Sequence, residues 1–177
     1  QLRENISVGL QSDILLLSGG VSAGNLDLVP SALEAAGVKQ VFHKVHLKPG
    51  KPIWFGVLDS EESTHKYVFG LPGNPVSSLI CFELFVRTAI RRLMGIEPAE
   101  PQAVQAKLSQ EHIVRSDRPT YHLARLAQEE AEAIVTPVSW HGSSDLRAPV
   151  DSNGMILFPA GEKTYLCGET VDVFLWS

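Results

Sequence analysis

A short apolar run, a turn rich in glycine and proline, and a long helical pattern follow one another in the middle of the chain. The run is Tyr67–Phe69, the turn is Gly70–Pro75, and the helical pattern extends from Pro75 to Met94. Asn74 before Pro75 is typical of a helix start, because asparagine caps free N–H groups and proline fits the first helical position. The sequence therefore predicts a strand, a tight turn and a helix, as in α/β proteins.

The segments before this unit predict further α/β elements. Ile14–Leu17 is continuously apolar, as in a strand buried on both faces of a parallel sheet. A short helix is expected from Val29 to Ala36, with Gly37 as its C-terminal stop. The partly alternating segment Val41–Leu47 predicts a strand, and a hairpin is expected over residues 53–69.

The pattern changes after Gly95–Pro101, which contains two prolines and no periodicity. Short strand-like runs separated by turn residues follow and predict a small all-β, barrel-like domain. These runs are 104–108, 121–126, 133–138, 155–158 and 171–176. We expect an α/β domain over residues 1–97 and an all-β domain over residues 98–177.

The segment Lys48-Pro49-Gly50-Lys51-Pro52 carries two ammonium groups on one rigid bend. Proline fixes φ at two positions, and glycine allows the backbone to turn and approach a ligand. Two cations on a stiff loop suit an oxyanion. The hairpin over 53–69 would bring this bend to the same end of the sheet as Gly70–Pro75.

The predicted helix start at Asn74 and Pro75 is a second candidate for anion binding. Free N–H groups and the positive end of the helix dipole favour an anion there, beside the hydroxyls of Ser77 and Ser78. A surface loop and a capped helix also account for each motif taken alone. The combination of both motifs favours a binding site.

The loop after the first predicted strand is a third candidate. Ser18-Gly19-Gly20 closes that strand, and in open α/β sheets ligands bind at the carboxyl ends of strands. Ser22 and Asp27 continue the loop with a hydroxyl and a carboxylate. Asp27 also suits a helix N-cap, which is the alternative to a binding role.

Composition and charge exclude several classes of function. The net charge of -5 argues against a general nucleic-acid surface, and the sequence has no run long and apolar enough for a membrane span. Cys81 and Cys167 lie in different predicted domains, which favours a reducing cytoplasm over a disulfide framework. His43 and His46 point to opposite sides of a strand and make a poor metal pair. The start at Gln1 within a helical pattern leads us to expect a fragment.

The chain resembles the molybdopterin molybdenumtransferases of the MoeA type, which include the E domain of gephyrin. The resemblance rests on SGGVSAGNLDLV, KPGKP, GLPGNPVSS and CFELFVRTAIRRLMG, and runs from about Asp13 to Gly95. It continues more thinly to the C-terminus, so the chain resembles a C-terminal fragment. The family implies a partial three-layer, MogA-like domain with a parallel sheet, followed by a barrel-like β domain.

The resemblance also implies a reaction, in which molybdenum from molybdate is inserted into adenylylated molybdopterin with Mg²⁺ present. It assigns catalysis to Asp27, Lys48 and Lys51, with Asp27 as the magnesium ligand. It assigns substrate binding to Ser18, Gly19, Gly20, Ser22, Pro52, Gly73, Asn74, Pro75, Ser77, Arg118, Ser143 and Ser144. It further implies a homodimer and a partnership with the molybdopterin adenylyltransferase.

The match to the family is incomplete in the predicted β domain. Arg118, Ser143 and Ser144 fit its motifs, whereas His141 stands at the family's glutamine position and Asp145 adds a negative charge beside the serines.

Two other functions stay open. One is a binding or scaffold module that performs no turnover, and the other is an unrelated phosphate-ester enzyme with the same turn chemistry.

Overall fold

The structure, a computed structural model, describes residues 1–21, 28–59, 65–129, 131–140 and 145–176. The chain forms two compact units. The first contains Gln1–Val45 and Gly50–Cys81, and the second contains His46–Pro49 and Phe82–Ser177. The sequence analysis places a domain boundary near Pro98, between two halves that would each fold alone. This boundary stays a prediction.

The first unit is an α/β unit with a four-stranded sheet in the order β1-β4-β3-β2. Its helices and strands are α1 (Leu2–Gly9), β1 (Ile14–Ser18), α2 (Val29–Ala35), β2 (Lys39–His43), β3 (Trp54–Asp59), β4 (His65–Leu71) and α3 (Pro75–Cys81). The sheet is mixed, because β1 and β4 are parallel whereas β3 pairs antiparallel with both β4 and β2. The predicted α/β class is confirmed.

Helices α1 and α2 pack with the sheet around one apolar core. Ile6 of α1 and Leu33 of α2 are buried in it together with Trp54 and Val68 of the sheet. The indole Nε1 of Trp54 donates a hydrogen bond of 2.9 Å to Gln40, so this large side chain is buried without losing its polar partner.

Two details of the predicted sheet are wrong. Strand β1 is not buried on both faces: it lies at the edge of the four-stranded sheet, and Leu16 is 41% exposed. Strand β2 ends at His43 rather than Leu47, because Lys44 has φ of 71° and leaves the extended conformation.

The predicted helix over 75–94 is interrupted. After α3, a π-helical turn at Phe82–Val86 precedes α4 (Arg87–Leu93). Glu83 in this turn is only 5% exposed and receives two hydrogen bonds from Arg87, of 2.6 and 2.8 Å. A buried carboxylate is costly unless it is paired, so Arg87 compensates Glu83.

The second unit contains a closed barrel of strands in the order β11-β5-β8-β7-β9. These are β5 (Ala103–Leu108), β7 (Thr120–Glu129), β8 (Glu132–Pro137), β9 (Gly154–Phe158) and β11 (Thr170–Leu175). The sequence predicted all five. It missed β6 (His112–Ser116) and β10 (Gly161–Tyr165), which form a two-stranded antiparallel sheet, and the short helix α5 (Arg147–Asp151).

The barrel interior follows the alternation of its strands. Val171 and Val173 are buried in β11, with Ile156 and Phe158 of β9 in the same core. Only β5 and β8 pair in parallel, and the other barrel pairs are antiparallel. In the part of the chain that the structure describes, no helix is long and apolar enough to cross a membrane.

Candidate functional site

Two of the predicted loops lie side by side at one end of the first unit's sheet. Because β1 and β4 are parallel, Ser18 pairs in register with Leu71, and the N–H of Gly19 donates to the carbonyl of Leu71 at 2.9 Å. A Cβ added to Gly73 would lie 3.4 Å from the Cα of Gly19. The structure therefore brings the Ser18–Gly20 and Gly70–Pro75 loops together at the carboxyl ends of two parallel strands.

Glycine is required in the first of these loops. Gly19 and Gly20 have φ of 84° and 67°, a region that side chains rarely adopt. A Cβ on Gly20 would also lie 2.9 Å from a methyl carbon of Val29. Ser18, Gly20 and Gly73 are exposed, so the backbone at this end of the sheet is open to a ligand.

Lys51 lies at the same end of the sheet. Trp54 at the start of β3 pairs with Gly70 at the end of β4. Lys51 and Pro52 come just before β3, so they lie at the end of the sheet where the Gly70–Pro75 turn begins. The expectation that the hairpin unites these two turns is confirmed for Gly50–Pro52. The carbonyl of Lys51 accepts a hydrogen bond of 2.9 Å from Val45, and its side chain is exposed.

A buried cysteine, Cys81, contacts the backbone of Gly50. Gly50 has φ of 119°, and its carbonyl lies 3.5 Å from the Sγ of Cys81, which donates to it. Burial raises the pKa of Cys81 to about 12. The thiol is therefore a neutral packing group behind the loop rather than a nucleophile.

The predicted cap at Asn74 is confirmed. Its side-chain oxygen accepts a hydrogen bond of 3.1 Å from the N–H of Ser77, and Pro75 is the first helical residue. The hydroxyl of Ser78 donates to the carbonyl of Pro72, and the N–H of Ser78 donates to the carbonyl of Asn74. Because these groups already have protein partners, an anion at this helix start has fewer donors than the sequence suggested.

The second unit holds Lys48 and Arg118 next to each other along the backbone. The N–H of Lys48 donates to the carbonyl of Pro119 at 2.9 Å, and the carbonyl of Lys48 accepts from Tyr121 at 2.8 Å. The Nη1 of Arg118 donates to the carbonyl of Leu47 at 3.1 Å. The structure therefore brings together two predicted site residues that lie seventy positions apart in the sequence.

The guanidinium of Arg118 has a second partner. Its Nε lies 3.2 Å from a carboxylate oxygen of Asp117, and this hydrogen bond holds the pKa of Asp117 below its usual value. The two contacts use Nε and Nη1 and fix the plane of a side chain that is 23% exposed. Arg118 is thus oriented before any ligand arrives, whereas the Lys48 side chain is exposed.

Sequence reasoning missed one residue of the first unit's loop region. His43, which the sequence analysis considered only as a poor metal ligand, lies with Nε2 2.8 Å from the carbonyl of Val21. Since a carbonyl only accepts, Nε2 carries the proton in this contact. His43 thereby supports the segment that follows Gly20, and no local signal in the sequence indicates this long-range contact.

Several predicted site residues lie outside the described residues: Ser22, Asp27, His141, Ser143 and Ser144. Asp145, which follows the serines, accepts a hydrogen bond of 3.0 Å from the N–H of Arg147 at the start of α5. Its charge therefore has a structural role. Across the described ranges, no group of three or more His, Cys, Asp or Glu side chains is placed to hold a metal.

Comparison with known proteins gives matches along both units. Residues 1–92 match a family described as "Probable molybdopterin binding domain", and residues 105–176 match "MoeA C-terminal region (domain IV)". A protein named molybdopterin molybdenumtransferase from Staphylococcus aureus (strain COL) is 31% identical over 163 residues, which is 92% of this chain and 38% of the relative. A Staphylococcus epidermidis protein of the same name is 30% identical over 165 residues.

Solved structures agree with these matches. A molybdopterin biosynthesis MoeA protein from Pyrococcus horikoshii has a TM-score of 0.77 and 28% identity, and the match covers 98% of this chain and 40% of that one. A molybdenum cofactor biosynthesis protein from Pyrococcus furiosus has a TM-score of 0.63 and 25% identity, with 93% and 68% covered. The chain thus spans 38% of the length of the curated relatives named above.

Proposed function

The chain belongs to the family of MoeA-type molybdopterin molybdenumtransferases, and on that basis we propose that it holds the site where molybdenum from molybdate is inserted into adenylylated molybdopterin. The observation that carries the proposal is the end of the first unit's sheet, where the loops containing Gly19 and Gly73 meet and where Lys51 lies shortly before β3. A cation and bare backbone together suit a substrate rich in negative charge.

In this proposal, Lys48 and Lys51 bind molybdate. Molybdate is a tetrahedral dianion, and two exposed ammonium groups on a bend stiffened by Pro49 and Pro52 offset its charge with little loss of backbone conformational entropy. Arg118 adds donors from a guanidinium whose plane is already fixed. Holding the oxyanion against the dithiolene of the pterin supplies the orientation that the insertion requires.

The loops of the first unit take the other substrate. Ser18, Gly19 and Gly20, with Ser22, face the pterin and the adenylate phosphates, because the absence of side chains lets the phosphates approach the backbone. Gly73, Asn74, Pro75 and Ser77 form the opposite wall of the same loop region. During the reaction the adenylate is hydrolysed and AMP leaves.

Magnesium belongs to this proposal through Asp27. Mg²⁺ is commonly held by one or two carboxylates together with substrate phosphates, so a single carboxylate beside the adenylate is a sufficient protein contribution. When bound there, the ion would neutralise phosphate charge. Homodimerisation and contact with the adenylyltransferase stay predictions from the family, and a cytoplasmic location stays a prediction from the two cysteines.

The experiment supplies adenylylated molybdopterin, Mg²⁺ and molybdate to this chain and to the S. aureus relative, and follows AMP release and formation of active cofactor. We expect both proteins to bind the substrates, but this chain, which its sequence suggests is a fragment, to bind oxyanion weakly and not to complete metal insertion. AMP release by this chain at the relative's rate would contradict that expectation, and binding without any molybdate-dependent AMP release by either protein would favour the scaffold alternative. Failure of this chain to bind either substrate saturably would refute the proposed function.

A further inference from the structure

A small cavity lies within the second unit, away from Lys48 and Arg118 in the sequence and built from other elements. It has a volume of about 210 Å³ and lies between α4, the segment before β5 and the ends of β9 and β11. Arg91 of α4, Met155 of β9 and Trp176 after β11 contribute to its walls. The described residues that line it all belong to the second unit.

The charges around this cavity are mostly paired. Glu83 is compensated by Arg87 through two hydrogen bonds, and Glu100 is compensated by Arg92. Arg91 also lines the cavity, and within the described ranges it has no ion pair. Among the described residues that line the cavity, Arg91 is therefore a cation without an ion pair.

The buried part of Arg91 points to the same conclusion. Its Nε has no hydrogen-bond partner among the residues that the structure describes, although the atom is buried. A buried donor without a partner is destabilising, and more so when the group is charged. An anion in the cavity that pairs with the guanidinium of Arg91 would offset this cost.

We propose that the cavity binds a small organic carboxylate, with Arg91 as the anion-binding group and the side chains of Met155 and Trp176 against the apolar part of the ligand. A planar guanidinium pairs with a carboxylate through two parallel hydrogen bonds, which favours this anion over a spherical one. A volume of about 210 Å³ is small for a ligand site, since such sites usually have about 300–1,000 Å³. The ligand is therefore small, such as a monocyclic aromatic acid.

The test uses benzoate as the probe and titrates it into the 177-residue chain by calorimetry. Benzamide has nearly the same shape without the charge, and we expect it to bind at least tenfold more weakly, since a hydrogen bond to a charged group contributes about 1.5–3 kcal/mol. Arg91→Gln should weaken benzoate binding by a similar factor. The matched control is Arg115→Gln, which removes an exposed arginine of β6 that pairs with Glu162 and should leave benzoate binding unchanged.

A second variant separates binding from folding. Arg91→Lys keeps the charge but loses the planar fork, so it should retain the wild-type unfolding midpoint while binding benzoate more weakly. Equal binding of benzoate and benzamide, unchanged binding by Arg91→Gln, or no saturable benzoate binding would each overturn the inference. Inorganic phosphate binding as tightly as benzoate would also overturn it, because the apolar wall would then contribute nothing.

Discussion

His122 provides a quantitative test of the barrel's interior. Its Nε2 lies 3.1 Å from the carbonyl of Val138. The centroid of its ring lies 4.6 Å from the ring centroid of His112 and 6.4 Å from that of Phe158. Burial, and then the neighbouring His112, lower the pKa of His122 from 6.5 to about 4. The folded barrel therefore keeps this imidazole neutral at a pH where the unfolded chain protonates it.

The sign of the effect follows from proton binding. Between about pH 6.5 and about pH 4 the unfolded state binds more protons than the folded state, so the free energy of unfolding falls as the pH falls. The stability is fully present above the unfolded pKa and is lost as the pH approaches the folded one. The difference corresponds to about 3 kcal/mol at 1.36 kcal/mol for each pH unit.

The perturbation is His122→Gln, which keeps a side-chain donor for Val138 but does not titrate. Urea unfolding followed by tryptophan fluorescence, from about pH 7 down to about pH 4.5, measures the free energy of unfolding of wild type and variant. We expect the wild type to lose about 2–3 kcal/mol more than the variant over this range. His65→Gln in the first unit controls for loss of an exposed histidine. Parallel pH profiles for wild type and His122→Gln would refute the burial argument.

Three further predictions concern the loops and the linker. Gly20→Ala should lower the free energy of unfolding by about 1–3 kcal/mol through strain and a clash with a buried methyl group; Gly95→Ala, with a similar φ but open space, should lower it less in the same urea assay. Iodoacetamide followed by mass spectrometry should modify Cys167 and spare Cys81 in the folded protein, and equal labelling would contradict the burial of Cys81. Limited proteolysis should cut between Gly95 and Pro101 first, whereas earlier cleavage inside either half would argue against that boundary.

Local signals in the sequence were enough to predict parts of the fold and site. The cap at Asn74 and the helix start at Pro75 depend on residues three apart, so the pattern carries the geometry. The five barrel strands alternate or are continuously apolar and stand between turn residues. The two missed strands are short, and β10 is exposed along four of its five residues, so burial left no pattern in it.

The parts that could not be predicted depend on contacts between distant residues. Leu16 is exposed because β1 lies at the sheet edge, and strand order is not a local property. Arg118 reaches the carbonyl of Leu47 across seventy-one positions, and His43 reaches that of Val21 across twenty-two. The positive φ of Lys44 ends β2 at a residue that is neither glycine nor asparagine. Because lysine is not a typical turn residue, the residue type did not predict the end of the strand.

The most direct test of the central claim is a calorimetric titration of molybdate into the wild-type chain and into a variant with Lys48→Ala and Lys51→Ala. Both side chains are exposed, so the double variant should fold with an unchanged circular dichroism spectrum. Lys107→Ala, which removes a partly exposed lysine of β5, is the matched control and should bind as the wild type does. The account predicts that saturable molybdate binding is lost only in the double variant; unchanged binding there would remove Lys48 and Lys51 from the site.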